Sequence, residues 1–321
     1  MSGLTRVKYK AVFLRIFVVS QSQHSSKNIM MQQLDKLLTN PYLLTALASL
    51  VGLLVGSFLN VVIYRLPIMM QRNWRKECAE YLQIDTDESE PPTPFNLSVP
   101  LSRCPHCHAP IKPHQNIPVL SYLLLKGRCA ACNRPIAVRY PLVEAFTAIV
   151  SALVAWHFGY SPQTVFALAL TWSLIALSFI DIDHQLLPDN ITLPVLWLGL
   201  LLSLFGLFTD THASIIGAIA GYTVLWAVYH LFKLVTGKEG MGYGDFKLLA
   251  LFGAWLGWQY LPVIILLSSL VGAVIGIAMI VFGNRDRNSP IPFGPYLATA
   301  GWIALLWGES LNQLYLTATG L

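Results

Sequence analysis

Residues 42–64, YLLTALASLVGLLVGSFLNVVIY, run for 23 positions without one charged side chain. A helix of about 20 apolar residues matches the hydrocarbon thickness of a bilayer, so this stretch is predicted to cross a membrane. The rest of the chain agrees. Of 321 residues, 55% are hydrophobic and 12% charged, where a water-facing surface needs roughly a quarter charged. That balance excludes a disordered chain, and five cysteines are too few for a disulfide-dense secreted scaffold. Beyond residue 140 the sequence is apolar almost throughout, with further spans predicted at 142–160, 164–182, 191–208, 213–235, 246–260, 261–282 and 294–308. The fold class is therefore an all-α polytopic membrane protein of about eight transmembrane helices. It divides into an N-terminal extension (1–40), a first transmembrane helix (41–64), a polar cysteine-bearing loop domain (65–139) and a seven-helix membrane domain (140–321).

The net charge of +5 does not point to nucleic acid, because its distribution follows the membrane. Past Tyr64 there are fifteen Lys and Arg residues, ten of them from Arg65 to Arg139, followed by Lys233, Lys238, Lys247, Arg285 and Arg287. Eight spans place all fifteen on one side, and the opposite loops near 159–163, 209–212 and 258–262 carry none. Basic loops stay in the cytoplasm, so that face is predicted to be cytoplasmic and the membrane to be a bacterial inner membrane. The first thirty residues break the pattern, with Arg6, Lys8, Lys10, Arg15 and Lys27 on the far side. The apolar run Ala11–Ser20 has no small-residue cleavage site after it. The expectation is that translation starts at Met30 or Met31, the preceding segment being absent or disordered.

Within the polar loop stand Cys104-Pro-His-Cys107 and Cys129-Ala-Ala-Cys132, with 21 residues between the pairs. Two Cys-x-x-Cys knuckles at such a separation place four thiolates tetrahedrally around one zinc ion. A reducing compartment argues against disulfides. With all four positions taken by sulfur, none is left for water, so one structural zinc per chain is predicted. His106, His108 and His114 are then surplus and solvent-exposed. Cys78 has no partner, and Asp85–Pro94 reads as a linker.

Carboxylates inside or at the ends of membrane spans are costly and generally functional. Glu144, Asp181, Asp183, Asp189 and Asp245 qualify. Asp181 ends the third span, and Asp245 opens the sixth behind Gly240-Met-Gly242-Tyr-Gly244. The topology brings these two, 64 positions apart in the chain, to the same depth on the same face. Two close carboxylates share one proton near neutral pH, and such a pair activates water and polarises a peptide carbonyl. No Gly-x-Ser-x-Gly elbow, His-Glu-x-x-His pair or phosphate-binding Gly-Lys-Ser/Thr competes. Asp181 and Asp245 are the predicted catalytic residues. Glu144 is expected to pair with a basic residue such as Arg139, and Asp189 to cap the next helix. A cation transporter, or an inactive assembly scaffold with a docking loop, is the alternative. The transporter needs acids at mid-membrane depth, and here they sit at span ends.

In these residues the chain resembles the type IV prepilin peptidases, bifunctional leader peptidase/N-methyltransferases within the Gly-x-Gly-Asp group of intramembrane aspartyl proteases. The resemblance covers about Met31 to the C-terminus. It rests on Gly56-Ser-Phe-Leu-Asn-Val-Val-Ile-Tyr-Arg-Leu-Pro67, both cysteine knuckles, Asn116-Ile-Pro-Val-Leu-Ser-Tyr122 and Arg139-Tyr-Pro-Leu-Val-Glu144. Asp181 through Leu187-Pro188-Asp189, Gly242-Tyr-Gly244-Asp245-Phe-Lys247 and Pro292-Phe-Gly-Pro295 complete it. The resemblance implies cleavage of the short basic leader of prepilins and type II secretion pseudopilins, after a Gly, on the cytoplasmic side. It further implies methylation of the new N-terminal amine from S-adenosylmethionine, with no residue assigned to that methyl donor. It carries the catalytic pair onto Asp181 and Asp245 and the cysteines onto Cys104, Cys107, Cys129 and Cys132. Membrane lipids and the prepilin substrates are the implied partners. Gln115 departs from the pattern, since many members have Glu there, in a region implicated in methyl transfer; cleavage without methylation is the alternative.

Overall fold

The computed structural model describes residues 39–84, 95–282 and 292–319. The N-terminal extension with its proposed start site, the linker 85–94, and Arg285 with Arg287 lie outside the described residues. Nine α-helices occur among them: α1 (Pro41–Leu82), the short α2 (Leu120–Leu124), α3 (Arg139–Phe158), α4 (Pro162–His184), α5 (Asp189–Ser203), α6 (Thr211–Thr236), α7 (Tyr243–Leu256), α8 (Leu261–Phe282) and α9 (Gly294–Thr319). Only two isolated β-bridges accompany them, both in the cysteine loop. Each of the eight predicted spans coincides with a helix, and five helices are long and apolar enough to cross a bilayer by length and composition. The chain is a membrane protein.

Two helix ends differ from the sequence reading by more than ten residues, while α5 and α7 stop short of theirs, at Ser203 and Leu256. α1 does not stop at Tyr64 but continues to Leu82, through Pro67. Apolarity ends at Arg65, yet the residues beyond it are mostly good helix formers, and a helix ends where its backbone is capped, not where its side chains turn polar. The start is well signalled, since the Asn40 side chain accepts from the backbone of Tyr42 and Leu43 and Pro41 opens the helix. Those extra 18 residues carry the helix roughly 27 Å past the apolar stretch. At the other end of the chain, α9 runs beyond residue 308 to Thr319, bending at Trp307 where φ −127° and ψ 22° leave the helical region.

The helices alternate in direction. One end of the bundle gathers the starts of α3, α5, α7 and α9 with the end of α4, through Arg139–Asp183, Lys247–Asp189 and Gly294–Asp181 contacts. At the opposite end Tyr42 meets Trp156, and Phe158 meets Phe208. All described Lys and Arg residues past Tyr64 lie at the first end or in the loop attached to it, while the turns 159–161, 204–210 and 257–260 hold none. The charge asymmetry inferred from sequence is thus built into the bundle.

At the centre stands α7. From Asp245 to Gly257 only Lys247 escapes burial, as expected of a helix apolar on all faces. Its 14 residues are short for a lipid-facing span, about 21 Å, but its neighbours take that role. α6 reaches it through Gly217 and Gly253, whose backbones touch: a Cβ on Gly253 falls 2.0 Å from the Gly217 carbonyl oxygen. Small residues allow such contact where lipid supplies no hydrophobic drive between helices. A second cluster ties Leu59, Val62 and Ile63 of α1 to Val143 and Val150 of α3 and Ile175 and Ile180 of α4. Outward-facing Leu54, Phe58, Trp197, Leu234 and Ile277 are exposed, the surface that a bilayer covers.

Candidate active site and metal centre

Asp181 lies in the last turn of α4, which closes on Gln185 in the left-handed conformation with its N–H bonded to the Asp181 carbonyl. Asp245 lies in the first turn of α7, after the extended Gly242. Both carboxylates are buried, each 6% exposed, and Asp181 is near enough to act electrostatically on Asp245. The Gly294 N–H, first in α9, donates to Asp181 Oδ2 at 3.0 Å. Oδ1 of Asp245 is buried and has no hydrogen-bond partner. Leu187, from the α4–α5 connection, closes over the pair: a Cβ on Gly244 comes 2.7 Å from the Leu187 side chain, and one on Gly294 comes 3.2 Å from it. Glycine at both positions lets this leucine sit against the starts of α7 and α9 together.

The other acids have different partners. Asp183 takes a two-pronged bond from Arg139 at 2.9 and 2.5 Å, and Asp189 binds Lys247 through both oxygens at 2.7 Å. These pairs pin α3 to α4 and α5 to α7 on either side of the buried aspartates. The expectation that Arg139 pairs with Glu144 is corrected here. Five residues along a helix turn the side chain by about 140°, so the two project from different faces. Glu144 instead accepts the Val119 N–H at 2.7 Å and bonds the Ser57 hydroxyl. Asp189 is likewise not a cap; it is the first residue of α5 behind Pro188, with its carboxylate turned to Lys247.

Val119 has φ 58° and ψ −47°, with the Leu120 N–H bonded back to the Pro118 carbonyl. That is a tight γ-turn with positive φ, strained for a β-branched residue. Glu144 holds it, and so anchors the cysteine loop to the membrane bundle. Replacing Glu144 with Ala leaves the Val119 N–H without its acceptor, at a cost of about 1–3 kcal/mol. Glu144→Gln keeps an acceptor, so thermal unfolding in detergent is expected to show the larger loss for Glu144→Ala.

The cysteine loop is built from two equivalent turns. In the first, Cys104 N–H bonds the Ala109 carbonyl, His108 N–H returns to the Cys104 carbonyl, and Ile111 N–H reaches Ser102. In the second, Cys129 bonds Arg134, Asn133 returns to Cys129, and Ile136 reaches Gly127. His108 and Asn133, at φ 57° and 55°, take the same left-handed place after each knuckle. The turns bring the four sulfurs within 4.8 Å of one another, with Cys104 and Cys132 Sγ 3.9 Å apart. Zinc–sulfur bonds of about 2.3 Å in a tetrahedron require sulfurs roughly 3.8 Å apart, so the cluster fits a metal ion. Backbone N–H groups of Cys107 and His106 converge on Cys104 and lower its thiol, while, against the Arg134 backbone N–H, burial and the neighbouring sulfurs push the Cys132 thiol up, so the proton burden is unevenly shared within the cluster. His106, His108 and His114 are exposed, as expected, and His106 Nδ1 lies 3.2 Å from Arg134. Cys78 is free and exposed.

Comparison with known proteins bears on this geometry. Residues 50–158 match the Bacterial Peptidase A24 N-terminal domain, and residues 168–277 match the Type IV leader peptidase family. The chain is 55% identical to the prepilin leader peptidase/N-methyltransferase of Stutzerimonas stutzeri, across 89% of this chain and 98% of that protein. The chain belongs to the type IV leader peptidase family. Its member from Pseudomonas aeruginosa, of the same name, is 55% identical across 90% of this chain and 99% of its own; that from Aeromonas hydrophila is 58% identical across 86% and 95%. No solved structure gives a significant match. The leader-peptidase match contains both Asp181 and Asp245, and the N-terminal match contains all four clustered cysteines. Asp181 and Asp245 lie in terminal turns, Glu144 lies within two turns of the start of α3, and Glu309, midway along α9 just after its bend at Trp307, is exposed, so none of these is the buried mid-depth acid that a transporter would need.

Sequence reasoning missed Gly294 as a partner of Asp181. Pro292-Phe-Gly-Pro295 was conspicuous, but a backbone donor leaves no chemical signature in its side chain. Gln115 also has a local task, its Oε1 accepting the Lys112 N–H at 3.2 Å.

Proposed function

We propose that Asp181 and Asp245 are the catalytic dyad of a prepilin leader peptidase, cutting the leaders of type IV prepilins and type II secretion pseudopilins at the cytoplasmic face of the inner membrane. One observation carries this reading: two buried carboxylates from different helices, near enough to act on each other, stand at the basic end of the bundle in a chain of the leader peptidase family. Water attacks the scissile carbonyl while the ionised carboxylate takes its proton. The protonated partner hydrogen-bonds the carbonyl oxygen as negative charge develops there, and the tetrahedral intermediate then collapses with proton delivery to the leaving amine. Burial excludes bulk water from both carboxyls and strengthens these interactions. A substrate with a basic leader and an apolar helix enters from the bilayer with its cleavage point at this depth.

After the cut, the freed amine is methylated, the methyl passing from the sulfonium of S-adenosylmethionine to nitrogen with loss of the thioether product and a proton. The names of the relatives support this second activity. Mass spectrometry of a prepilin peptide incubated with the enzyme and the methyl donor is expected to find leader loss and one added methyl group. Leader loss alone reduces the activity to cleavage, and an intact peptide overturns the proposal.

Cys104, Cys107, Cys129 and Cys132 would hold one zinc ion, which when bound cross-links the two knuckles and offers no open position to water. The loop has few buried apolar residues, so the ion contributes much of its stability. Metal analysis is expected to find about one zinc per chain. The Cys104→Ser, Cys107→Ser double variant is expected to lose it; full retention contradicts the ligand set.

A further inference from the structure

We infer that the two aspartates are unequal: Asp181 is the ionised member, fixed by the backbone of Gly294 at the head of α9, and Asp245 carries the proton. The catalytic consequence, that Asp181 takes the proton of water and Asp245 donates to the scissile carbonyl, rests on the function proposed above.

The difference lies in what each carboxyl touches. Asp181 Oδ2 receives the Gly294 N–H at 3.0 Å in a buried position. That N–H is the first of α9 and has no partner within its own helix, so an anion is its natural complement. The positive end of the α9 macrodipole adds to it and opposes the negative end of α4, whose last turn carries Asp181. The approach is tight: a Cβ on Gly294 falls 2.6 Å from Asp181 Oδ2, so this donor is within reach only because residue 294 is glycine.

Asp245 has the Gly242 backbone beside it and the first turn of its own helix, which alone favour charge. Its Oδ1, however, is sealed from solvent and accepts nothing. A buried ionised oxygen without a donor is expensive, whereas a protonated carboxyl carries its own donor toward a neighbour. Among the described residues the flanking cations are already engaged: Lys247 is held by Asp189 and Arg139 by Asp183. Asp181 acts electrostatically on Asp245 and like charges repel, so a charge fixed on Asp181 leaves the proton with Asp245. The unpartnered Oδ1 is then the group free to meet the substrate carbonyl.

Gly294 becomes a positioning residue. It acts through Asp181, selecting which carboxyl ionises and orienting it. This gives Pro292-Phe-Gly-Pro295 a task in the reaction beyond starting a helix.

Infrared spectra of the full-length detergent-solubilised Asp181→Asn and Asp245→Asn proteins, each titrated from acid to neutral pH, read the one dyad carboxyl left in each. The C=O band of Asp181 is expected to give way to a carboxylate band at lower pH than that of Asp245. The reverse order, or equal midpoints, overturns the assignment. These spectra need no turnover, so failure to cleave prepilin overturns the proposed function and leaves the proton assignment to be judged on its own. Gly294→Ala is expected to lower kcat about 100-fold with KM little changed, and to shift the Asp181 carboxylate band. A variant with wild-type kcat and an unshifted band contradicts the positioning role, and should Gly294→Ala not insert, the Asp→Asn spectra still decide the assignment.

Discussion

Gly253→Ala is expected to leave little folded protein, although it adds a single methyl group. Its Cβ falls 2.0 Å from the Gly217 carbonyl oxygen and 2.2 Å from the carbonyl carbon. These are backbone atoms, and a backbone cannot rotate aside as a side chain does. Relief requires α6 and α7 to separate, and α7 is the buried centre against which Leu170, Leu177, Leu225 and Leu297 pack. Overpacking a core costs typically about 1–3 kcal/mol when side chains yield; here the penalty is expected to exceed that. Separation would also tilt the turn bearing Asp245. Gly206→Ala is the control: it meets no atom within 4 Å, and only its φ of 61° opposes the change, at about 1–2 kcal/mol. Thermal unfolding and the monodisperse fraction in detergent should rank Gly253→Ala well below Gly206→Ala. Equal stability would mean that α6 and α7 do not pack backbone to backbone.

Much of this architecture was legible in the sequence because a bilayer imposes coarse rules. Apolar runs had to be helices, and the Lys and Arg pattern fixed which ends lie together. The same sparsity of charge made Asp181 and Asp245 conspicuous, since a carboxylate inside an apolar run must have a reason. The four cysteines were legible from spacing alone, and the matched turns at Cys104–His108 and Cys129–Asn133 bear out their similarity.

What stayed hidden depends on rotation and on backbone. Hydropathy reports where apolar surface stops, so it ended α1 at Tyr64, while the backbone runs on to Leu82. Arg139, Asp183, Lys247 and Asp189 were each visible as charges, but their pairing follows from how four helices rotate against one another. Glu144 was assigned a partner close in sequence and found one on another segment, at Val119. The Gly294 N–H was beyond reach for a further reason: it lies 113 positions from Asp181, and every residue has an N–H except proline.

Asp181→Asn and Asp245→Asn are each expected to lower prepilin cleavage by about 10²–10⁴-fold or more, the range for losing a general acid or base. Asn is nearly isosteric with Asp, so the helix ends, the Leu187 cover and the cysteine loop should persist. Asn at 181 cannot take a proton from water. At 245 it keeps an N–H donor but cannot release a proton to the departing amine. Because the two carboxyls work as one unit, the double variant should be scarcely worse than either single one. Asp183→Asn differs, since it disturbs an exposed pair with Arg139 and is expected to cost far less. Cleavage of a purified prepilin by wild type, each single variant and the double variant, at matched amounts of inserted, zinc-loaded protein, is the most direct measurement. The dyad predicts near-complete loss in both single variants with no further loss in the double. Wild-type cleavage by either single variant would contradict it.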